Sequence, residues 1–297
     1  MSPEPEKVPV EVGGRQLILT NLGKVLYPAA GFTKAQVIDY YLRVAPVLLP
    51  HLAGRPLTLK RYPDGVTGQY FYAKHAPDHR PAWVETVRLP SEGSRARGTS
   101  VSYLLAGDLP TLIWTANLAG LELHVPMWRL PGVGRPDLLM FDLDPGPPAG
   151  LVECCAVAQL LRPLLAEQGL EPLAKTSGGK GLQLMAAITG LSSEQASKLA
   201  RDLAERLAHA HPELVVSRMT RALRPGKVLV DWSQNNAAKT TVAPYSLRAM
   251  PQPTVSTPVT WAEIGSCGES GDLVFTSDDV LARVARQGDL LASLLPG

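Results

Sequence analysis

Asp142 and Asp144 stand one residue apart, between the apolar run Leu138-Leu139-Met140-Phe141 and Pro145-Gly146. In a strand, residues i and i+2 project to the same face, so both carboxylates point together while Leu143 turns away. Two like charges at the end of a buried strand repel, and a divalent cation with hard oxygen ligands is the usual compensation. The competing reading is local, because Asp-Pro-Gly is also good turn chemistry. Asp231 ends a second apolar run, Val228-Leu229-Val230, and is the only acid among six basic residues between Arg218 and Arg248. It is either an ion-pair partner for Arg224 or Lys227, or a third carboxylate for one or two divalent cations. Such a site can clamp the attacking and leaving oxygens around a phosphate.

A second signal is Lys175-Thr176-Ser177-Gly178-Gly179-Lys180-Gly181. Glycines let backbone N–H groups converge on an anion, and Lys180 adds a point charge. The spacing is not that of a Walker A loop, and no Ser or Thr follows Lys180. A plain hairpin turn is the alternative. His124, in Leu121-Glu122-Leu123-His124, is either a hydrogen-bonded core residue or a ligand contact. Tyr70-Phe71-Tyr72, with Lys60-Arg61 and Lys74, offers flat faces and cations suited to a nucleic-acid strand, although half-buried strand aromatics read the same way. His209 and His211 read as a solvated helix end. Together, the acids and the glycine loop point to phosphoryl or nucleotidyl transfer.

These residues need elements to hold them. The pattern predicts strands near 17–19, 57–62, 138–143, 172–176, 182–188, 214–217 and 227–231. Thr33 opens a helix carrying Val37, Tyr40, Tyr41, Val44 and Leu48, which Pro50 and Gly54 are expected to close. Further helices are expected over 151–168, over 192–210 behind a Ser192/Gln195 capping pair, and from Thr276 to Gly288. An exposed loop is expected over 91–99, and the proline-rich stretch 244–258 reads as an extended surface crossing. Strands alternating with helices give an α/β (α+β) class with a mixed, ferredoxin-like sheet.

The composition, 45% hydrophobic and 19% charged over 297 residues, is that of a globular chain. A net charge of +2 does not by itself argue for nucleic acid. Three cysteines without a CxxC pair argue against a zinc site or a disulfide framework. With no signal pattern and no membrane-length apolar run, the expectation is a soluble protein of a reducing compartment, cytoplasmic and away from membranes.

Taken in order, the motifs resemble the polymerase domain of bacterial LigD-type end-joining proteins, in the archaeo-eukaryotic primase superfamily. They run from Leu19-Thr20-Asn21-Leu22-Gly23-Lys24-Val25-Leu26-Tyr27-Pro28 with Thr33-Lys34, through Lys60-Arg61-Tyr62-Pro63-Asp64-Gly65 and Trp114-Thr115-Ala116-Asn117, to Glu122-Leu123-His124. Phe141-Asp142-Leu143-Asp144-Pro145, the Ser177–Gly181 loop, Asp231-Trp232-Ser233-Gln234-Asn235, Lys239-Thr240-Thr241 and Pro244-Tyr245-Ser246-Leu247-Arg248 complete the series. The resemblance covers roughly residues 19–290. It implies a two-lobed primase-polymerase fold in a single domain. An N-terminal portion of about 1–130 would pack on a catalytic RRM-like portion of about 131–297.

The same resemblance implies roles. Asp142, Asp144 and Asp231 would be catalytic metal ligands for two divalent ions, Mn2+ or Mg2+. Lys60, His124, Ser177, Lys180, Arg224, Gln234, Lys239 and Arg248 would contact a nucleoside triphosphate. Asn21, Lys24 and Lys34 would grip a DNA 5′ phosphate, and Phe71 and Tyr72 would stack on the template. The implied partners are DNA with gaps or 3′ overhangs, the end-binding protein Ku and a separate DNA ligase, since no Lys-x-Asp-Gly ligase motif is present. The implied activity is primer extension at gaps and broken ends, tolerant of ribonucleotides, at the bacterial nucleoid. A primase that starts strands de novo and an end-binding module with a weak active site are the alternatives. One position departs from the family pattern: Gln183 stands where a histidine is usual.

Overall fold

The computed structural model describes residues 6–90, 100–269 and 271–296, so the loop expected over 91–99 lies outside them. The chain forms two compact units. The first takes the chain as far as Val125 and again at Tyr245–Thr254 and from Thr276 to Gly288; the second takes Pro126–Pro244, Val255–Phe275 and the chain from Asp289.

In chain order the elements begin with β1 (Lys7–Val12), β2 (Arg15–Thr20), β3 (Val25–Tyr27), β4 (Phe32–Thr33) and α1 (Lys34–Leu52). Next come β5 (Pro56–Arg61), β6 (Phe71–Ala73), β7 (Thr86–Pro90), β8 (Ser100–Leu105), α2 (Leu109–Asn117) and β9 (Gly120–Val125). The second unit opens with β10 (Leu138–Pro145), α3 (Leu151–Ala166), β11 (Leu173–Thr176), β12 (Leu182–Ala187) and α4 (Ser193–Ala210). They are followed by β13 (Val215–Val216), β14 (Val228–Asp231), β15 (Thr241–Val242), β16 (Pro258–Val259) and α5 (Trp261–Ser266), and α6 (Ser277–Gln287), which belongs to the first unit, closes the series.

In the first unit, β9, β5, β8 and β7 lie side by side, with β6 also paired to β5. Helix α1 begins where the sequence places it: Thr33 Oγ1 accepts from Gln36 N, and Gln36 Oε1 accepts from Thr33 N at 2.8 Å. It does not stop at Pro50. Pro46 and Pro50 both lie inside the helix. Leu48 and Leu52 are buried on its core side, and their burial outweighs the N–H that proline lacks. Two buried tyrosines of α1 fix the chain around them: Tyr41 Oη donates to Leu121 O at 2.6 Å, and Tyr40 Oη to Tyr245 O at 2.8 Å.

The second unit is built on a sheet ordered β13-β14-β10-β12-β11-β16, antiparallel except for β13 with β14. Strand alternation divides its two faces. Leu139, Phe141, Leu143, Leu182, Leu184, Val228 and Val230 join the core made with α3 and α4, which includes Cys154 and Cys155. Leu138, Met140 and Met185 point the other way, into a smaller cluster with Met127, Leu291 and Leu294. Asp142 and Asp144 continue that second face.

The stretch 244–258 is not the surface crossing that its prolines suggested. Pro244–Leu247 and Pro253–Pro258 are buried. Tyr245, Leu247 and Val255 are apolar enough to enter the interior, and Ser246 pays its way there by accepting the Leu123 N–H at 2.9 Å. Among the described residues, no helix is long and apolar enough to cross a membrane.

Candidate active site

Strand register assembles a polar row across the second unit. Asp142 lies directly opposite Asp231 on β14 and opposite Gln183 on β12, and Gln183 lies opposite Lys175 on β11. Residues directly opposite across an antiparallel pair share a face, so these four side chains form one transverse line. Lys175 is fully buried; its Nζ donates to Gln183 Oε1 and, at 2.6 Å, to Ser256 Oγ. With its oxygen turned to Lys175, the Gln183 amide donates to Asp142. Neither Lys175 nor Gln183 was among the sequence-derived site residues. The signal available was Gln183 in place of histidine, and the structure shows that the amide still reaches the carboxylate.

Burial pushes the Asp142 carboxyl up to about 7; Asp144 and Asp231 push the same way, against the Gln183 hydrogen bond and the Lys175 charge. Asp231 is tied locally. Its Oδ1 accepts from Ser233 N at 2.7 Å and Ser233 Oγ at 2.6 Å, and its Oδ2 from Gln234 Nε2 at 3.0 Å. Lys239 Nζ donates to the same Ser233 hydroxyl. Gln234 and Lys239 thus stand around Asp231. The ion-pair alternative is not what forms: Lys227 Nζ bonds Pro212 O, and Arg224 bonds Met219 O.

The Ser177–Gly181 loop is the hairpin between β11 and β12, and Ser177 Oγ accepts from Gly181 N at 3.1 Å and Gly179 N at 3.3 Å. It is pressed onto the acid strand. A Cβ on Gly181 would stand 2.4 Å from Leu143 O and 3.7 Å from Asp144 Oδ1. Lys180 is exposed at the tip. Past the acids, the Arg224 backbone packs so close to Gly146 that a Cβ there would lie 2.1 Å from Arg224 O.

The donor chemistry of Asp142 and Asp144 fits a divalent cation, since two hard carboxylates share one face and burial, with the Asp144 charge, holds Asp142 back from ionising. A ready three-ligand cluster is not formed. Among the described residues, no group of three or more His, Cys, Asp or Glu side chains is arranged to hold a metal ion.

The first unit carries a separate cluster centred on Glu122, another residue not singled out from sequence. Its carboxylate meets His124 Nε2 at 2.9 Å, Ala249 N at 3.1 Å, Arg248 Nε at 3.4 Å and Lys60 Nζ at 3.7 Å. Burial alone would raise the Glu122 carboxyl, but the His124 hydrogen bond, the Arg248 charge and the Ala249 N–H hold it down to about 2. Burial lowers His124 below the ordinary imidazole value, and Arg248 and Lys60 add to that against Glu122. The Lys60 ammonium also lies 4.2 Å from the Tyr70 ring and 5.8 Å from the Tyr72 ring. The i,i+2 spacing of Glu122 and His124 on a strand was the available signal.

Phe71 and Tyr72 do not share a face. Tyr72 pairs with Lys60 and its ring edge meets His124, whereas Phe71 pairs with Arg61, whose guanidinium lies 5.1 Å from the Phe71 ring. Arg61 and Lys24 act electrostatically on Lys34; burial, with their help, lowers Lys34 to about 8. Lys34 Nζ donates to Thr20 O at 2.6 Å, while Lys24 pairs with Asp64 at 2.9 Å. Asn21, exposed with φ +53°, accepts the Lys24 N–H through its backbone carbonyl.

The mixed α/β fold that carries these residues matches that of the LigD polymerase domain. Residues 33–291 match the family model described as "LigD, primase-polymerase domain", and the chain belongs to that family. It is 46% identical over 279 residues to the multifunctional non-homologous end joining protein LigD of Mycolicibacterium smegmatis, covering 93% of this chain and 36% of that protein. It is 31% identical over 275 residues to the bifunctional LigD of Bacillus subtilis, covering 92% and 43% respectively. The chain therefore spans less than half the length of these relatives. The polymerase domain of Mycobacterium tuberculosis ligase D, solved in complex with DNA, superimposes with a TM-score of 0.87 at 43% identity, covering 94% of this chain and 99% of that one.

Proposed function

We propose that the chain is a template-directed nucleotidyltransferase, a DNA-dependent DNA/RNA polymerase that extends primers at gaps and broken DNA ends in end joining. The observation that carries this reading is the register that aligns Asp231, Asp142, Gln183 and Lys175 with Asp144 and the Ser177–Gly181 hairpin alongside. The solved relative bound to DNA supports a nucleic-acid substrate.

In this reading Asp142 and Asp144 hold divalent cations, Mn2+ or Mg2+, with Asp231 as the third carboxylate once it is released from Ser233 or Gln234. The cations would neutralise the triphosphate and lower the pKa of the primer 3′ hydroxyl. Gln183, backed by Lys175, orients Asp142. Ser177 and Lys180 receive the triphosphate, with Arg224, Gln234 and Lys239 as further contacts on the same unit. Lys60, His124 and Arg248 are anion contacts on the Glu122 cluster. Tyr72 belongs with that cluster, and Phe71 with the 5′-phosphate contacts Asn21, Lys24 and Lys34. The substrates are nucleoside triphosphates, ribonucleotides included, and DNA carrying gaps or 3′ overhangs with 5′ phosphates. Ku and a DNA ligase activity are the partners, in the bacterial cytoplasm at the nucleoid.

The test is incorporation of labelled nucleotide on a gapped duplex with Mn2+, with Asp142→Ala as control. The wild type is expected to extend the primer and the variant to fail. If neither extends while both bind DNA ends, the chain is an end-binding module instead.

A further inference from the structure

Glu122 is 2% exposed and, held near 2, is a carboxylate at neutral pH that can only accept hydrogen bonds. The 2.9 Å contact with His124 Nε2 therefore requires the proton to be on Nε2. In the neutral ring, Nδ1 then carries a lone pair. Lys60 from β5, Arg248 from the 245–254 segment, Tyr70 and Tyr72 from β6 and the turn before it, Tyr62 just after β5, Tyr27 from β3 and Tyr41 from α1 are the other charged and titratable groups around this cluster. The two cations disfavour a second proton on the ring.

A phosphate oxygen is repelled by a lone pair and attracted by an N–H. Burial chiefly keeps the imidazole neutral, and an anion arriving among Lys60, Arg248 and His124 offsets the two charges that add to it. We propose that Glu122 is a positioning residue that fixes His124 in the Nε2–H tautomer, and that a polyphosphate nucleotide binds this cluster with uptake of a proton at His124 Nδ1. The nucleotide and the proton are linked ligands, each raising the affinity for the other. This rests on the reading of Lys60, His124 and Arg248 as nucleotide contacts. If Lys60 and Arg248 alone bind the phosphates, His124 is a spectator and no proton moves.

The experiment is isothermal titration calorimetry on the full chain with Mg2+ present, near pH ~7.5. The titrant is an α,β-methylene nucleoside triphosphate, used in buffers of different ionisation enthalpy. The wild type is expected to take up about one proton per nucleotide at that pH. His124→Gln, whose amide still donates to Glu122, is expected to bind more weakly and to lose that uptake. In parallel, the His124 ring signals should move from neutral to imidazolium on addition of nucleotide, which wild type alone can report if the variant misfolds. Binding by wild type without proton uptake, or equal uptake in wild type and a folded His124→Gln, overturns the inference while leaving the nucleotide reading intact. Absence of any nucleotide binding by wild type overturns both.

Discussion

Lys175 is linked to Asp142 through the single amide of Gln183. The lysine is closed off from solvent, and the amide is buried between it and the carboxylate. A buried ammonium needs an acceptor, and a carboxylate crowded by two others needs a donor; one glutamine supplies both.

Breaking that link should cost stability in a coupled way. Gln183→Leu removes one of the acceptors of the buried Lys175 and deprives Asp142 of its donor, and is expected to lower unfolding free energy by about 2–3 kcal/mol. With Lys175→Met in the same chain, the combined loss should be smaller than the sum by about 1 kcal/mol or more. Urea denaturation of the two single variants and the double variant measures this, and strictly additive losses would mean the two residues are independent.

Glu122 gives a pH signature. Its folded carboxyl sits near 2 against an ordinary 4.5, so its contribution is complete above about 4.5. It is lost as the pH falls from there towards 2, because the unfolded chain then binds the proton first. The span corresponds to about 3 kcal/mol. Glu122→Gln should melt at a lower temperature than wild type at neutral pH, with the gap closing towards acid. A gap that is the same at every pH would remove Glu122 as the source.

Burial lowers Lys34 to about 8, so if it grips a 5′ phosphate as proposed, that recognition is expected to depend on pH. Above that value the free protein loses the charge that a bound phosphate favours. Affinity for 5′-phosphorylated gaps should therefore fall between about pH 7 and 9 more steeply than affinity for 5′-hydroxyl gaps. Lys34→Ala should flatten the difference. Parallel curves for the two substrates in wild type, read by fluorescence anisotropy, would place the phosphate elsewhere.

The opposed faces of Phe71 and Tyr72 predict separable defects. Tyr72→Ala should chiefly raise the KM for nucleotide, through Lys60 and His124. Phe71→Ala should chiefly weaken DNA binding through Arg61, by about 1–3 kcal/mol if a base stacks there. Both rings are exposed, so neither change should cost much folding stability. Identical kinetic profiles for the two variants would argue that both touch the same ligand.

Much of the architecture is written along single segments. The apolar run 138–141 with two acids two residues apart already sets a strand with both carboxylates on one face, and Thr33 and Ser192 already mark helix starts. Periodicity settles such matters because it is a property of one stretch of chain. The site is different. That Asp231, Gln183 and Lys175 align with Asp142 depends on register between strands up to about ninety residues apart, which no local pattern encodes. The 244–258 stretch reads as surface by its prolines, yet long-range packing buries most of it and brings Arg248 to Glu122. Phe71 and Tyr72 are a pair in sequence and are parted by the pleat once β6 joins β5. Sequence fixes which face of its own strand a residue takes; only tertiary pairing decides which side chains it meets there, because those partners come from distant segments.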